Sequence, residues 1–481
     1  MSPSPLNSVA ILGGGVAGWM TAAALARVLP ADRAIRVVET AGSAPRGTLS
    51  TLPALRSFHG LLGLDEPALM RVARGTFKLG SRYSGWSEGD HVEGFSDAGA
   101  SLDGVAFHHH WLRARERGDV GRYEDYSLAA VAGRLGRFAP PSEDPRSVLS
   151  TLSYGLHLDA AGYVMALRST ADRVEARAGE IAEVVLTPDG RIDAVVLADG
   201  ERIVADLFID ATPDGRLVNS APDAAWIDGA CGLGCDRLAL REIDPRPNPA
   251  PLTEFEAIAE GWLRRVPLRG GDAVALAYAS ALTSDDQARD ILGGEATIIP
   301  LRNGRRQRVW SGNCLAIGPA ASQLEPLNGD DAQAIQSGVG RLIGLLPTAD
   351  GSPVAALEYN RLMAEEQDRA RDIVVFRYAA ATRTEPLWVQ ARRAPPSPAL
   401  AYKQAQFESR GRVVLYDEET FTEGAWVGAF LGHGIMPRRH DRLADRLPAA
   451  QADAALARLR GVIRQAAQAM PLHADTLKDR P

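Results

Sequence analysis

The chain has 481 residues, 46% of them hydrophobic and 23% charged, enough apolar material for one large or two interlocked globular domains, so disorder is not the default. A formal net charge of -7 gives no basic footprint for a general nucleic-acid binder, and three cysteines, Cys231, Cys235 and Cys314, are too few and irregular for a disulfide frame or a four-ligand zinc site. No run of about 20 uninterrupted apolar residues occurs, which predicts no membrane span, and the expected setting is the reducing cytoplasm.

In chain order, Val9 to Ala26 (VAILGGGVAGWMTAAALA) reads as a strand, a glycine turn and a helix. Gly13, Gly15 and Gly18, with Gly14 and Ala17 between them, fall in the G-x-G-x-x-G register, which brings backbone amides to a pyrophosphate at a helix N-terminus. The next apolar strand, Ile35 to Val38, ends in Glu39, a carboxylate placed to accept hydrogen bonds from a ribose diol. These glycines, and the lack of a basic segment before them, also argue against a secretory leader. Gly42, Pro45, Gly47 and Pro53 then mark a loop that leaves the nucleotide fold. His59 to Met70 is expected to be helical, and Gly75 to Tyr83 to be a strand carrying Lys78, whose stem on spacing alone packs while its ammonium reaches water.

Phe107-His108-His109-His110-Trp111 is read as a strand whose consecutive histidines point to opposite faces, so no metal site is expected. Residues 138–147 form a loop, and Tyr154 to Leu167 turns helical toward its end. Gly179 to Leu186 and Ile192 to Leu197 flank the turn Thr187-Pro188-Asp189-Gly190 as a hairpin, followed by a buried strand at Asp206 to Thr212. That returning hairpin fits a flavoprotein built of two dinucleotide-binding-type parts. Antiparallel strands such as Ala273 to Tyr278 are expected between 216 and 305, then a buried strand at Asn313 to Gly318, a helix from Ala332 to Leu346, and a mainly helical remainder. The expected fold class is α/β, an FAD-binding Rossmann-type fold over residues 1–347. A substrate layer is inserted at about 46–178 and 216–305, and a helical region covers 348–481.

Several segments together resemble the flavin-dependent tryptophan halogenase family over nearly the whole chain: GGGVAGWMTAAALA, FHGLLGLDE, GTFKLGSRYSGW, FHHHWLRAR, YGLHLDAAGY, DLFIDAT, CDRLAL, NCLAIGPAASQLEPL and FTEGAWVGAFLGHGI. The resemblance implies a monooxygenase-like fold that binds FAD, reduced by a separate flavin reductase. With oxygen and halide this yields hypohalous acid, which travels through a tunnel to a lysine beside an aromatic or electron-rich small-molecule or peptide substrate. By motif that lysine is Lys78, and the cofactor contacts fall on Gly13, Gly14, Gly15, Ala17, Gly18, Glu39, Gly318 and Leu327. A homodimer is compatible with the same resemblance.

The chain departs from the family pattern at the ring end of the site. Where the family has W-x-W-x-I-P, residues 295–300 read Glu-Ala-Thr-Ile-Ile-Pro, so both tryptophans are absent. Where it has Glu-Ser-Thr-Gly after Glu325-Pro326-Leu327, with the glutamate acting as base, this chain has Asn328, Gly329, Asp330 and Asp331. An amide cannot take a proton as a carboxylate does, so Asp330 and Asp331 become the candidate catalytic acids, with an N-cap of the following helix as their plain structural alternative. Halogenation, hydroxylation without halide, and a non-catalytic partner of an active paralogue are the functions these residues leave open.

Overall fold

The computed structural model describes residues 6–221, 223–348 and 353–478; the expected boundary at 347/348 abuts residues 349–352, which lie outside that set together with 1–5, 222 and 479–481. The framework is a six-stranded sheet in the order Trp310–Ser311, Cys314–Ala316, Leu207–Asp210, Ser8–Leu12, Ala34–Glu39, Glu175–Ala178, parallel except at its first pair. Ser8–Leu12 is central, with Ala10 opposite Phe208 on one side and Arg36 on the other. Its run of Val9, Ala10, Ile11 and Leu12 has no polar alternation because both faces are covered, as parallel sheets require. The helix Val16–Val28 follows, and the expected hairpin is present as Ile181–Leu186 paired with Ile192–Leu197.

A second, mostly antiparallel sheet of seven strands lies over this framework, in the order Thr297–Pro300, Arg237–Ile243, Gly271–Tyr278, Gly261–Leu268, Leu252–Ala257, Gly80–Ser84, Asp90–Gly94. Its apolar face shares a core with the helices Pro353–Ala380, Pro386–Arg393 and Glu423–Gly432, through Trp262, Phe255, Val374, Phe376, Trp388 and Trp426. A small sheet of Thr48–Ser50, Gly155–Asp159 and Thr76–Lys78 joins the two layers.

Three local expectations are corrected. The segment expected as one strand from Gly75 to Tyr83 is two strands, Thr76–Lys78 in the small sheet and Gly80–Ser84 in the large one, with buried Leu79 at the step. Gly80 permits that step: a Cβ there would lie 2.2 Å from the Glu93 carbonyl oxygen. The helix expected from His59 to Met70 is two helices, Ala54–Leu62 and Glu66–Val72, because Gly63 takes φ 72° and Asp65 caps the second by accepting from the Ala68 amide. The three histidines lie on a helix, Phe107–Arg115, where Phe107, Trp111 and Ala114 repeat at helical spacing toward the core. His108 pairs with the Gly411 carbonyl, His110 with the Leu102 carbonyl, and His109 accepts from the Asp441 amide, so each ring is held by backbone.

Candidate active site

The glycine turn is fitted to a nucleotide by exclusion of side chains. A Cβ on Gly13 would lie 2.3 Å from the Ala211 carbonyl oxygen, on Gly15 2.7 Å from that of Ser43, and on Gly18 1.8 Å from that of Gly13. On Gly14 it would meet the Glu39 side chain at 2.6 Å, which places the acid of the second strand directly beside the turn. Glu39 accepts from Trp19 Nε1 at 2.9 Å and pairs with Arg168, and these contacts fix the carboxylate against the start of the helix. Gly318, at φ 66°, brings the end of a third parallel strand against Ala17, 2.6 Å from where a Cβ would sit. Bare backbone, a helix N-terminus and an adjacent carboxylate form a cradle that fits the ADP half of FAD. Leu327, in contrast, is wholly buried in the second core, and its carbonyl accepts from Tyr83 Oη at 3.1 Å.

Lys78 ends its strand fully buried, and its Nζ donates to the Gly329 carbonyl at 2.6 Å. Burial lowers its pKa to about 7, against the opposing charges of Asp331 and Asp330, while Arg264 adds to the depression. Gly329 is held at φ 64° with its α-carbon facing this ammonium, so a Cβ there would be 2.8 Å from Nζ and 3.0 Å from Ser50 Oγ. Behind it runs a buried chain: Ser50 Oγ to Thr253 Oγ1 at 2.5 Å, Thr253 to His157 Nε2 at 3.0 Å, and His157 Nδ1 to Thr76 Oγ1 at 3.0 Å. Burial first, and then the charge of Lys78, keep His157 neutral by lowering its pKa well below the usual value.

The loop 325–331 is tied at both ends. Glu325 is buried among Tyr378 Oη at 2.5 Å, Trp262 Nε1 at 3.1 Å, the Cys235 amide and Asn303. Asp331 accepts from the Ser50 amide at 2.8 Å and receives Arg264 Nη1 at 2.9 and 3.0 Å. The N-cap alternative for these two acids is therefore overturned: the helix Gln333–Gly344 starts from Ala332 with no side-chain cap, because the Asp331 carboxylate is already held by a guanidinium and an amide of the small sheet. Asp330 is half-buried, and burial together with the neighbouring Asp331 charge raises its pKa to about 6, partly offset by Lys78.

Two cavities flank this partition. One of about 570 Å³ is lined by Gly47, Thr48, Leu240, Arg264 and Thr297, beside the loop that leaves the nucleotide turn. The other, about 960 Å³, lies between the large sheet and the helix Glu423–Gly432, with Ser81, Phe95, Trp111, Phe421, Asn328 and Arg377 in its wall. Lys78 lines neither; its Nζ is 5.0 Å from the centre of the Phe95 ring in the wall of the larger one, and Arg264 in the wall of the smaller one pairs with the neighbouring Asp331.

The larger cavity contains a cluster that sequence reasoning missed. Arg377, 1% exposed, donates through Nη1 and Nη2 to Glu93 at 2.8 Å each, through Nε to Asn328 Oδ1 at 3.0 Å and through Nη1 to His433 Nε2 at 3.0 Å, and it lies over the Tyr83 ring at 3.9 Å. Burial alone would raise the Glu93 pKa, but the Arg377 charge and hydrogen bonds overcome it and hold the carboxylate ionised. The ligand-type atoms of His91, Glu93 and His433 lie within 4.8 Å of one another, yet the cation that Glu93 and His433 serve is the guanidinium itself. These residues lie some 280 to 340 positions apart, from Glu93 to Arg377 and His433, and no local pattern links them.

A dinucleotide cradle, a cavity beside the loop that leaves it and a buried lysine near a second, larger cavity fit a flavoprotein that acts on a small molecule. A family model described as tryptophan halogenase matches residues 8–449. The fold is similar to that of BrvH, a flavin-dependent halogenase from Brevundimonas sp. BAL3, at TM-score 0.94 and 35% identity over 99% of both chains. It is also similar to Xcc4156, a flavin-dependent halogenase from Xanthomonas campestris, at TM-score 0.93 and 33% identity over 99% of this chain and 98% of that one. Tryptophan 6-halogenase ThaL of Streptomyces albogriseolus is 27% identical over 90% of each chain. The chain belongs to the tryptophan halogenase family. It is an FAD-dependent oxidoreductase that halogenates aromatic substrates, with reduced flavin supplied by a separate reductase. No helix among the described residues is long and apolar enough to cross a membrane.

Proposed function

We propose that Lys78 and Asp330 are the acid and the base of the halogenation, acting on an aromatic ring seated in the larger cavity. Reduced FAD, when bound in the glycine cradle, supplies an electrophilic halogen from oxygen and halide. The observation that carries the reading is the burial of Lys78 with its Nζ on the Gly329 carbonyl, one residue from Asp330. An ammonium with a pKa of about 7 is a far better proton donor near neutrality than an exposed lysine. It donates to the oxygen of hypohalous acid, which leaves as water while the halogen bonds to the ring. The ring proton that must then depart passes to Asp330, whose raised pKa of about 6 suits a base in this pH range. Asp331 is a positioning residue: paired with Arg264 and the Ser50 amide, it fixes the loop and adds a negative charge that keeps Lys78 from losing its proton altogether.

The test supplies reduced FAD, oxygen, bromide or chloride and a panel of indoles and phenols, with products analysed by mass. Lys78→Met should abolish halogenated product while flavin still binds, and Asp330→Asn should lower kcat by about 10² to 10⁴. Halogenation by Lys78→Met at the parent rate would overturn the role of the lysine. Hydroxylated product regardless of halide would support oxygen transfer instead.

A further inference from the structure

The small sheet that joins the two layers carries a row of polar side chains on one face. Ser50 is opposite His157, and His157 is opposite Thr76. Lys78, two residues along from Thr76 and opposite Gly155, shares that face. Thr253 of the strand Leu252–Ala257 completes the row, and all of these side chains are fully buried.

The directions of the hydrogen bonds along the row follow from one carbonyl. Thr76 Oγ1 donates to the Pro267 carbonyl at 2.7 Å, which uses its only hydrogen, so it accepts from His157 Nδ1. His157 is neutral, so its Nε2 bears no hydrogen and accepts from Thr253 Oγ1. Thr253, its hydrogen spent, accepts in turn from Ser50 Oγ at 2.5 Å. The Ser50 hydroxyl therefore points its hydrogen along the row and offers only lone pairs to every other neighbour. Lys78 is such a neighbour: the place a Cβ on Gly329 would take is 3.0 Å from Ser50 Oγ and 2.8 Å from Lys78 Nζ, so hydroxyl and ammonium border the same small space. One ammonium hydrogen goes to the Gly329 carbonyl, and two remain.

We infer that His157 is a positioning residue: through Thr253 it commits the Ser50 hydroxyl to act as an acceptor beside Lys78, which favours the ammonium over the free amine. The inference rests on, and deepens, the reading of Lys78 as the proton donor. Without Thr253 the Ser50 hydrogen is free to turn and donate to the neutral amine, which stabilises the uncharged form; without His157 the Thr253 hydroxyl loses its acceptor and the row loses its direction. The row thus works against burial, which lowers the Lys78 pKa to about 7. The other charged groups around the ammonium are Asp330 and Asp331 of the loop and Arg264 of the large sheet.

The chain has only three lysines, Lys78, Lys403 and Lys478, so isotope-labelled lysine allows Lys78 to be titrated by NMR in the full-length protein loaded with oxidised FAD, with Lys78→Met assigning its signal. Ser50→Ala, Thr253→Val and His157→Phe should each lower the Lys78 pKa by about 0.5 or more, whereas Thr253→Ser, which keeps the hydroxyl, should hold the parent value. Ser50→Ala combined with Thr253→Val should fall no further than either change alone, because Thr253 acts through Ser50. If Thr253→Val fails to load flavin, His157→Phe takes its place in this cycle. Asp330 titrates in parent and variants alike, so the difference between their curves reports the row. A Lys78 pKa unchanged or raised in the single variants, or additive falls in the double one, would overturn the inference. Turnover by Lys78→Met at the parent rate, with these shifts intact, would remove the catalytic reading alone, so the two failures are told apart.

Discussion

Lys78 and Gly329 are matched in shape: the ammonium donates to the glycine carbonyl at 2.6 Å, and the glycine holds φ 64° with its α-carbon so close that any Cβ would reach 2.8 Å from Nζ. Gly329→Ala should therefore strain the backbone and displace the lysine together. A loss of about 1 to 2 kcal/mol in stability is expected from the left-handed conformation alone. Product formation should fall more than flavin affinity does; thermal melts and flavin titration beside turnover separate the two.

The pH profile of kcat follows from the two groups. Asp330 must be ionised, which is lost as pH falls through about 6, and Lys78 must be protonated, which is lost as pH rises through about 7. The expected profile is a narrow bell with its maximum between those values. Asp330→Asn should lower the whole curve and remove the acid limb; an acid limb that survives in that variant would exclude Asp330 as the base.

Burial of Lys78 has an opposite consequence for stability. Its folded pKa lies below the unfolded value, so between about pH 7 and 10.5 the unfolded chain binds more protons and stability rises with pH. Lys78→Met, which removes the buried amine, should stabilise the protein at pH 7 by on the order of 1 to 3 kcal/mol, and the gain should shrink toward pH 10. Denaturant melts at the two pH values check the sign.

Arg264 is 5% exposed and faces Asp331 at 12% side-chain exposure, so removing one partner leaves a buried charge. Arg264→Leu should cost about 3 to 5 kcal/mol, and the double change Arg264→Leu with Asp331→Leu should recover part of it. Independent, additive losses in the double-mutant cycle would mean that the pair is not coupled.

At the nucleotide end, Gly15→Val places a branched side chain where even a Cβ lies 2.7 Å from the Ser43 carbonyl oxygen. Flavin affinity should drop by about a hundredfold or more while the second core, remote from the turn, stays folded. Flavin fluorescence titration gives the affinity, and unchanged binding would separate the glycine turn from the cofactor.

The turn from Gly13 to Gly18, the acid at Glu39, the hairpin near Thr187 and the helical C-terminal region were legible because each is a local pattern, set by φ preferences, strand runs and helical spacing. Lys78 was legible only through its family motif; spacing alone placed its ammonium in water, and what buries it is the step at Leu79 between two sheets, together with a loop 251 residues away. The histidine run misled because alternation and helical spacing cannot be told apart over so short a segment, and tertiary packing of Phe107 and Trp111 chose the helix. Asp330 and Asp331 are adjacent in sequence and equivalent as residue types, yet one is neutralised by Arg264 from the large sheet and the other is left beside the lysine with a raised pKa. The Arg377, Glu93 and Asn328 cluster lay beyond any local rule, since it is assembled from a helix, a strand and a loop by long-range contacts. The sequence by itself determined the nucleotide turn and those elements whose pattern is local, whereas the breaks at Gly63 and Leu79, the helix at the histidine run, the pairing and the protonation came from which distant groups the tertiary fold buried against one another.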